Sequence, residues 1–199
     1  ASRLSAGAAR VDITPSAGIP MTGYILREGP STGVHDPLHA RARVFDDGER
    51  QAASLVCDVL ALDRRFVASA RAGIARATGI PGQNVLIAST HTHSGPATIF
   101  LRDCGEVDEA WLETLRQRLV DVSKAALRDL RPVRVGAGGG HVSAGVENRR
   151  TSGGPMDPEL GILRVEALQG QPLAVLLNYA CHPTFLGPDN RLISADYPG

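Results

Sequence analysis

Three of the six histidines in this chain follow apolar runs and sit where loops should begin. His91 and His93 lie in Ser89-Thr90-His91-Thr92-His93-Ser94-Gly95-Pro96, after Val85-Leu86-Ile87-Ala88. His182 lies in Asn178-Tyr179-Ala180-Cys181-His182-Pro183-Thr184, after Leu173-Ala174-Val175-Leu176-Leu177. Imidazole is the commonest metal ligand, and neutral histidines suit zinc. On an extended segment, residues two apart face the same side, so His91 and His93 can share a pocket. They read as two ligands, as one ligand beside a substrate-polarising histidine, or as solvated loop residues. Pro183 biases His182 toward extended geometry, as a ligand or as a hydrogen-bonded core residue. In open α/β sheets, ligand sites gather at the carboxyl ends of strands. The pattern points to a metal-dependent hydrolase.

The elements that must position these residues are legible. Ala8–Thr14 alternates as a strand and stops at Pro15. His39–Phe45 and Ala52–Leu60 form a hairpin around Asp46-Asp47-Gly48. Asp63 caps a helix to about Thr78, closed by Gly79. Asn84–Ala88 is a short strand. Asp108 caps a second helix to about Leu130, with Leu112, Leu115, Leu119, Val122 and Ala126 on one face. Val133–Gly136, Leu160–Ala167 and Pro172–Ala180 are strands, the last two joined by a turn at Leu168-Gln169-Gly170-Gln171. The expected fold is α/β with α+β character: a layered domain of mixed β-sheets flanked by helices. The Gly/Pro-rich stretch from Ser16 to Pro37 is long for a loop, and such loops are usually functional or disordered. Nothing in Ser194–Gly199 resembles a stable terminal element.

Composition excludes several classes. The 199 residues suffice for one substantial domain. Lys plus Arg balance Asp plus Glu at 21 each, which argues against a nucleic-acid partner. No apolar run approaches the roughly 20 residues of a transmembrane segment. Three cysteines cannot all pair within the chain; Cys57 and Cys181 read as packing residues. P-loop, G-x-S-x-G and H-E-x-x-H motifs are absent, and Gly136–Gly140 lacks dinucleotide-binding spacing.

Further polar residues are candidates for the same site. His35 follows Gly33 and can enter it, while His39 starts a strand and His141 reads as surface. Asp12, Asp58, Asp157 and Asp196 are possible carboxylate ligands, though such residues are mostly turn or cap residues. Arg149 and Arg150 can clamp an anionic or carbonyl group.

Thr90-His91-Thr92-His93-Ser94-Gly95-Pro96 resembles the signature loop of the neutral/alkaline, non-lysosomal ceramidases. Cys181-His182-Pro183-Thr184 resembles that family's second histidine segment. Similar blocks run through Ala6–Pro15, Met21-Thr22-Gly23-Tyr24, Gly33-Val34-His35, Asn148-Arg149 and Ser194–Gly199, so the resemblance covers nearly the whole chain. It implies hydrolysis of the N-acyl bond of ceramide, or of a related lipid or N-acyl small molecule, with one Zn2+. It implies His91 and His182 as zinc ligands, His93 beside the metal to bind or polarise substrate, and Arg149 on a substrate polar group. His35 and Asp196 are lesser candidates for the metal. The remaining ligands in the family, a Glu and a Tyr, would lie beyond residue 199. Residues 1–199 would then be the N-terminal part of a longer catalytic domain without an intact site of their own, and the resemblance allows a secreted or periplasmic place while the sequence leaves the compartment open. The alternatives are another metal-dependent hydrolase, a phosphoesterase or peptidase recruiting Asp58 and Asp196, or a non-enzymatic binding module with structural histidines.

Overall fold

The computed structural model describes residues 4–143 and 146–199. Among the described residues, nine strands and two α-helices, with a short 3-10 turn at Gly82–Asn84, follow the order β1 (Ser5–Asp12), β2 (Gly33–Val34), β3 (His39–Asp46), β4 (Gln51–Cys57), α1 (Arg64–Thr78), β5 (Val85–Ser89), α2 (Glu109–Arg128), β6 (Arg131–His141), β7 (Glu159–Ala167), β8 (Pro172–Tyr179) and β9 (Leu192–Ile193). Seven strands make one mixed sheet in the order β5-β4-β3-β1-β6-β7-β8. Only β4 and β5 run parallel in it. The expected layered α/β fold with mixed strands is the observed one.

Local chemistry sets the element ends. The Asp63 carboxylate accepts from the Phe66 amide at 2.7 Å, and Asp108 accepts from the Trp111 amide at 2.9 Å. Each cap is worth about 1 kcal/mol. Gly79 closes α1 in the left-handed region. At the hairpin tip, Asp47 Oδ1 accepts the Glu49 and Arg50 amides and closes the turn beyond the last β3–β4 pair, Asp46 with Gln51.

Both helices lie on one sheet face. Ala40, Ala42 and Val44 of β3 and Ala53, Leu55 and Cys57 of β4 point at Ile74 of α1 and Leu115, Leu119 and Val122 of α2. Small residues on β1 bring the helix close. A Cβ at Gly7 would lie 2.0 Å from the Ala126 carbonyl oxygen, so only glycine permits this approach. A smaller cluster of Ala6, Val133 and Val165, with Phe45 and Leu173, supports the β6–β8 ribbon. That ribbon joins β1 through two residue pairs only, Ser5 with Pro132 and Ala6 with Arg131.

Three sequence expectations are corrected. β1 begins at Ser5 and not Ala8, because it pairs with β3 along its full length. β6 runs on through the glycine run to His141, since β7 supplies the ladder that the glycines cannot specify by side chain. The stretch after Pro15 is not structureless: β2 pairs in parallel with β9, and Ser31 is buried. β2 and β9 are two residues each, and only tertiary pairing creates them. Ser194–Gly199 holds no helix or strand, as expected, although Ala195 within it is fully buried.

Candidate metal centre

β5 carries the first two histidines to the carboxyl edge of its parallel pair. The ladder continues past the strand: the Thr90 amide donates to the Cys57 carbonyl and the His91 amide to the Val59 carbonyl. The chain then turns sharply, with His91 at φ 68°. A non-glycine residue in this region is strained, and such strain concentrates at functional sites. Thr92 and Ser94 alternate inward and are fully buried. Thr92 Oγ1 donates to the Ser194 carbonyl at 2.8 Å and accepts from the Ser94 amide. With these two residues locked, His91 and His93 both turn to the opposite side. The two rings come together as expected, but through the left-handed turn at His91 and not along an extended run.

β8 delivers His182 from the other edge of the sheet. The three rings converge. His91 stacks on His182 with centroids 5.0 Å apart, and His93 meets His182 edge-on at 4.6 Å. One ring nitrogen from each lies within 4.8 Å of the others. Among the described residues, no other His, Cys, Asp or Glu joins this group.

Backbone carbonyls fix the tautomers of two rings. His91 Nδ1 donates to the Leu60 carbonyl at 2.8 Å, and His93 Nδ1 donates to the Gly23 carbonyl at 2.9 Å. In their neutral forms both rings therefore present an Nε2 lone pair to the centre. Burial, then the neighbouring His182, pushes the His93 pKa down to about 4, so His93 is neutral at pH 7. Burial, then the Arg149 charge, also lowers His182. The His182–His93 Nε2 contact of 2.8 Å then needs its proton on His182. A carbonyl on one ring nitrogen and an inward lone pair on the other is the outer support typical of metal-binding histidines. The donor set suits zinc, and His182 must shift its proton to Nδ1 to offer its own lone pair.

Arg149 is exposed and acts on His182 and Tyr24 through its charge. Asn148 Oδ1 accepts the Arg150 and Thr151 amides and shapes the turn that presents Arg149. Arg150 is exposed on the same turn.

The lesser candidates stand apart. The His35 amide is drawn into the β2–β9 pairing, donating to the Ile193 carbonyl, and its ring spends Nδ1 on Asp36. Asp36 in turn accepts from the Ser194 hydroxyl and the Ala195 amide. Asp196, at φ 57°, uses its carboxylate on the Leu186 and Tyr197 amides. Asp58 is fully buried and accepts from the His39 amide and Arg41. Asp12 and Asp157 accept amides two residues on, as turn residues do. His141 is exposed.

Sequence reasoning gave no role to Tyr24, Arg27 or Tyr197. The Tyr24 ring lies edge-on to His93 at 5.1 Å, and its hydroxyl donates to the Leu186 carbonyl. Tyr197 donates to the Cys181 carbonyl at 2.6 Å, next to His182. Gly23-Tyr24 and Asp196-Tyr197 stand within the blocks of family resemblance, which was the available signal for the two tyrosines. Nothing comparable marks Arg27.

Comparison with known proteins follows the same lines. The profile of the neutral/alkaline non-lysosomal ceramidase N-terminal region matches residues 4–199. Neutral ceramidase A of Dictyostelium discoideum is 27% identical over 94% of this chain and 30% of its own length. The neutral ceramidase of Mycobacterium tuberculosis is 27% identical over 98% of this chain and 34% of its own. This chain thus spans about a third of such relatives. The crystal structure of neutral ceramidase from Pseudomonas aeruginosa shares the fold, with a TM-score of 0.83, 23% identity, and coverage of 98% of this chain and 34% of that one. A ceramidase complexed with C2 superposes with a TM-score of 0.86, at the same identity and coverage. With the profile matched from Leu4 to the last residue, this chain belongs to the neutral/alkaline non-lysosomal ceramidase family, in its N-terminal region.

Proposed function

We propose that this chain is the N-terminal part of a zinc-dependent amide hydrolase that cleaves the N-acyl bond of ceramide or a related lipid. The observation that carries the reading is the convergence of three imidazoles, two of them held by carbonyls with their Nε2 lone pairs inward. His91 and His182 would hold the metal. The rest of its ligands would come from protein beyond this chain, which spans a third of its relatives. Bound zinc supplies Lewis acidity that polarises an amide carbonyl and acidifies a water.

This chain's own residues do the remaining work. His93 is neutral and aimed at the same point, so it can accept a proton there or steady charge on the substrate oxygen. Arg149 can hold a polar group of the substrate from the open side. The surroundings suit a lipid: Ile25, Leu26 and Phe185 are exposed beside Tyr24 and the His182 loop. Exposed apolar groups around polar chemistry mark binding surfaces for apolar partners.

A two-metal phosphoesterase fits less well. Asp58 and Asp196 would have to join the histidines. Asp196 spends both carboxylate oxygens on amides, and among the described residues neither aspartate joins the histidine group.

The test is elemental analysis of the full-length protein beside a His91→Ala/His182→Ala double variant, with hydrolysis of an N-acyl sphingosine followed in both. About one zinc per chain, lost with the activity in the variant, is the expected result. Zinc unchanged in the variant would overturn the ligand assignment.

A further inference from the structure

Arg27 has an unusual set of partners. Its Nε donates to the Asn190 carbonyl at 2.9 Å, Nη1 to the Thr22 carbonyl at 2.8 Å, and Nη2 to the His93 carbonyl at 2.7 Å. Every guanidinium nitrogen is thus spent on backbone. The group is half-buried, 5.0 Å above the Tyr24 ring, and no described carboxylate pairs with it. A half-buried arginine that meets only carbonyls is not a simple ion-pair residue.

The three carbonyls belong to three separate segments, and two of them bracket His93. One is the carbonyl of His93 itself. The other, Thr22, precedes Gly23, whose carbonyl receives His93 Nδ1. The third, Asn190, reaches the same loop through its side chain, which donates to Ser94 Oγ. We infer that Arg27 is a positioning residue that fixes the aim of the His93 ring by clamping both the main chain that carries it and the peptide just before the one that orients it. Lysine cannot replace it, because an ammonium lacks the planar fork that reaches three carbonyls at once. This inference rests on the reading of His93 as a group acting on substrate, but its structural half stands separately.

The experiment uses the full-length protein with Arg27→Gln, His93→Ala and the double variant. Two readouts are taken: N-acyl sphingosine hydrolysis, and imidazole nitrogen spectra of His93 in the metal-free protein. Wild-type His93 should show a single Nδ1–H tautomer. Arg27→Gln should show a mixture, and its kcat should fall about 10- to 100-fold while zinc content is kept. In the His93→Ala background the same substitution should change kcat less than about twofold, because residues that act as a unit are not additive. An unchanged His93 spectrum, or an equal loss in both backgrounds, would overturn the inference. If the wild type hydrolyses no N-acyl amide, the functional reading fails, and the His93 spectrum alone still decides the role of Arg27. Should Arg27→Gln not fold, Arg27→Lys is measured instead, with the same mixed tautomers expected.

Discussion

Gly23 and His93 form a matched pair. The glycine carbonyl orients the ring at 2.9 Å, and the glycine Cα lies so close that a Cβ would fall 2.7 Å from the ring atoms. Gly23 also has φ 105°, which L-residues rarely adopt. The position therefore does two things at once. It supplies the acceptor that sets the His93 tautomer, and it leaves room for the ring to reach that acceptor.

Gly23→Ala should accordingly displace His93 rather than merely strain a loop. The backbone cost alone is about 1–3 kcal/mol. A ring moved by about 1 Å loses roughly 100-fold in rate when it must meet a reacting atom. Zinc content should survive, because the His91 ring is held by the Leu60 carbonyl and His182 comes from the segment after β8. Hydrolysis and metal content measured on one preparation check this, and a variant with unaltered kcat would contradict it.

Acidification should weaken the metal-free protein through His93. Its pKa falls to about 4 in the fold, chiefly by burial and then by His182, from an ordinary value of 6.5. Between those values the unfolded chain binds more protons, so stability declines as pH falls through that window. His182 is lowered too and acts in the same direction. Melting temperatures of metal-free wild type and His93→Gln at pH 7.0, 5.5 and 4.5 (chosen, roughly, to span the window) isolate the effect. The variant should lose less on acidification; equal losses would mean that His93 does not titrate as described.

Much of this was legible in the sequence because it is local. The caps Asp63 and Asp108 sit one residue before their helices, as their side chains require. The i, i+2 spacing of His91 and His93 forecast a shared pocket, which the fold reaches through a left-handed turn at His91 and not an extended run. What was not legible depends on contacts between distant segments. β2 and β9 are two residues each and exist only through their pairing across about 160 positions, as the Thr32–Arg191 hydrogen bond with its separation of 159 illustrates. His35 looked free to enter the site and was claimed by that pairing. Arg27 reads as one more arginine in a loop, since carbonyl acceptors leave no residue-type signature. Asp196 could be read as a ligand because its true partners, the amides of Leu186 and Tyr197, are likewise invisible in a string of residue types.

The last relationship with a measurable consequence is between Tyr197 and His182. The Tyr197 hydroxyl donates to the Cys181 carbonyl at 2.6 Å, on the peptide that leads into His182. Burial first, and then Cys181, pushes the phenol up to about 12, so it remains a donor throughout the neutral range. Tyr197→Phe keeps the ring and its edge-on contact with Phe185 and removes only that hydrogen bond. The expected loss of stability is about 1 kcal/mol. Loss of outer support for a ligand weakens metal binding by about 10- to 100-fold, so zinc affinity should fall by at least the lower figure. Tyr179→Phe is the matched control, because its hydroxyl donates to the Val142 carbonyl and not to the peptide before His182. Competition with a zinc chelator measures both variants on one scale. Equal affinities would remove Tyr197 from the support of the site, whereas a deficit confined to Tyr197→Phe would tie the position of His182 to a tyrosine fifteen residues further along the chain.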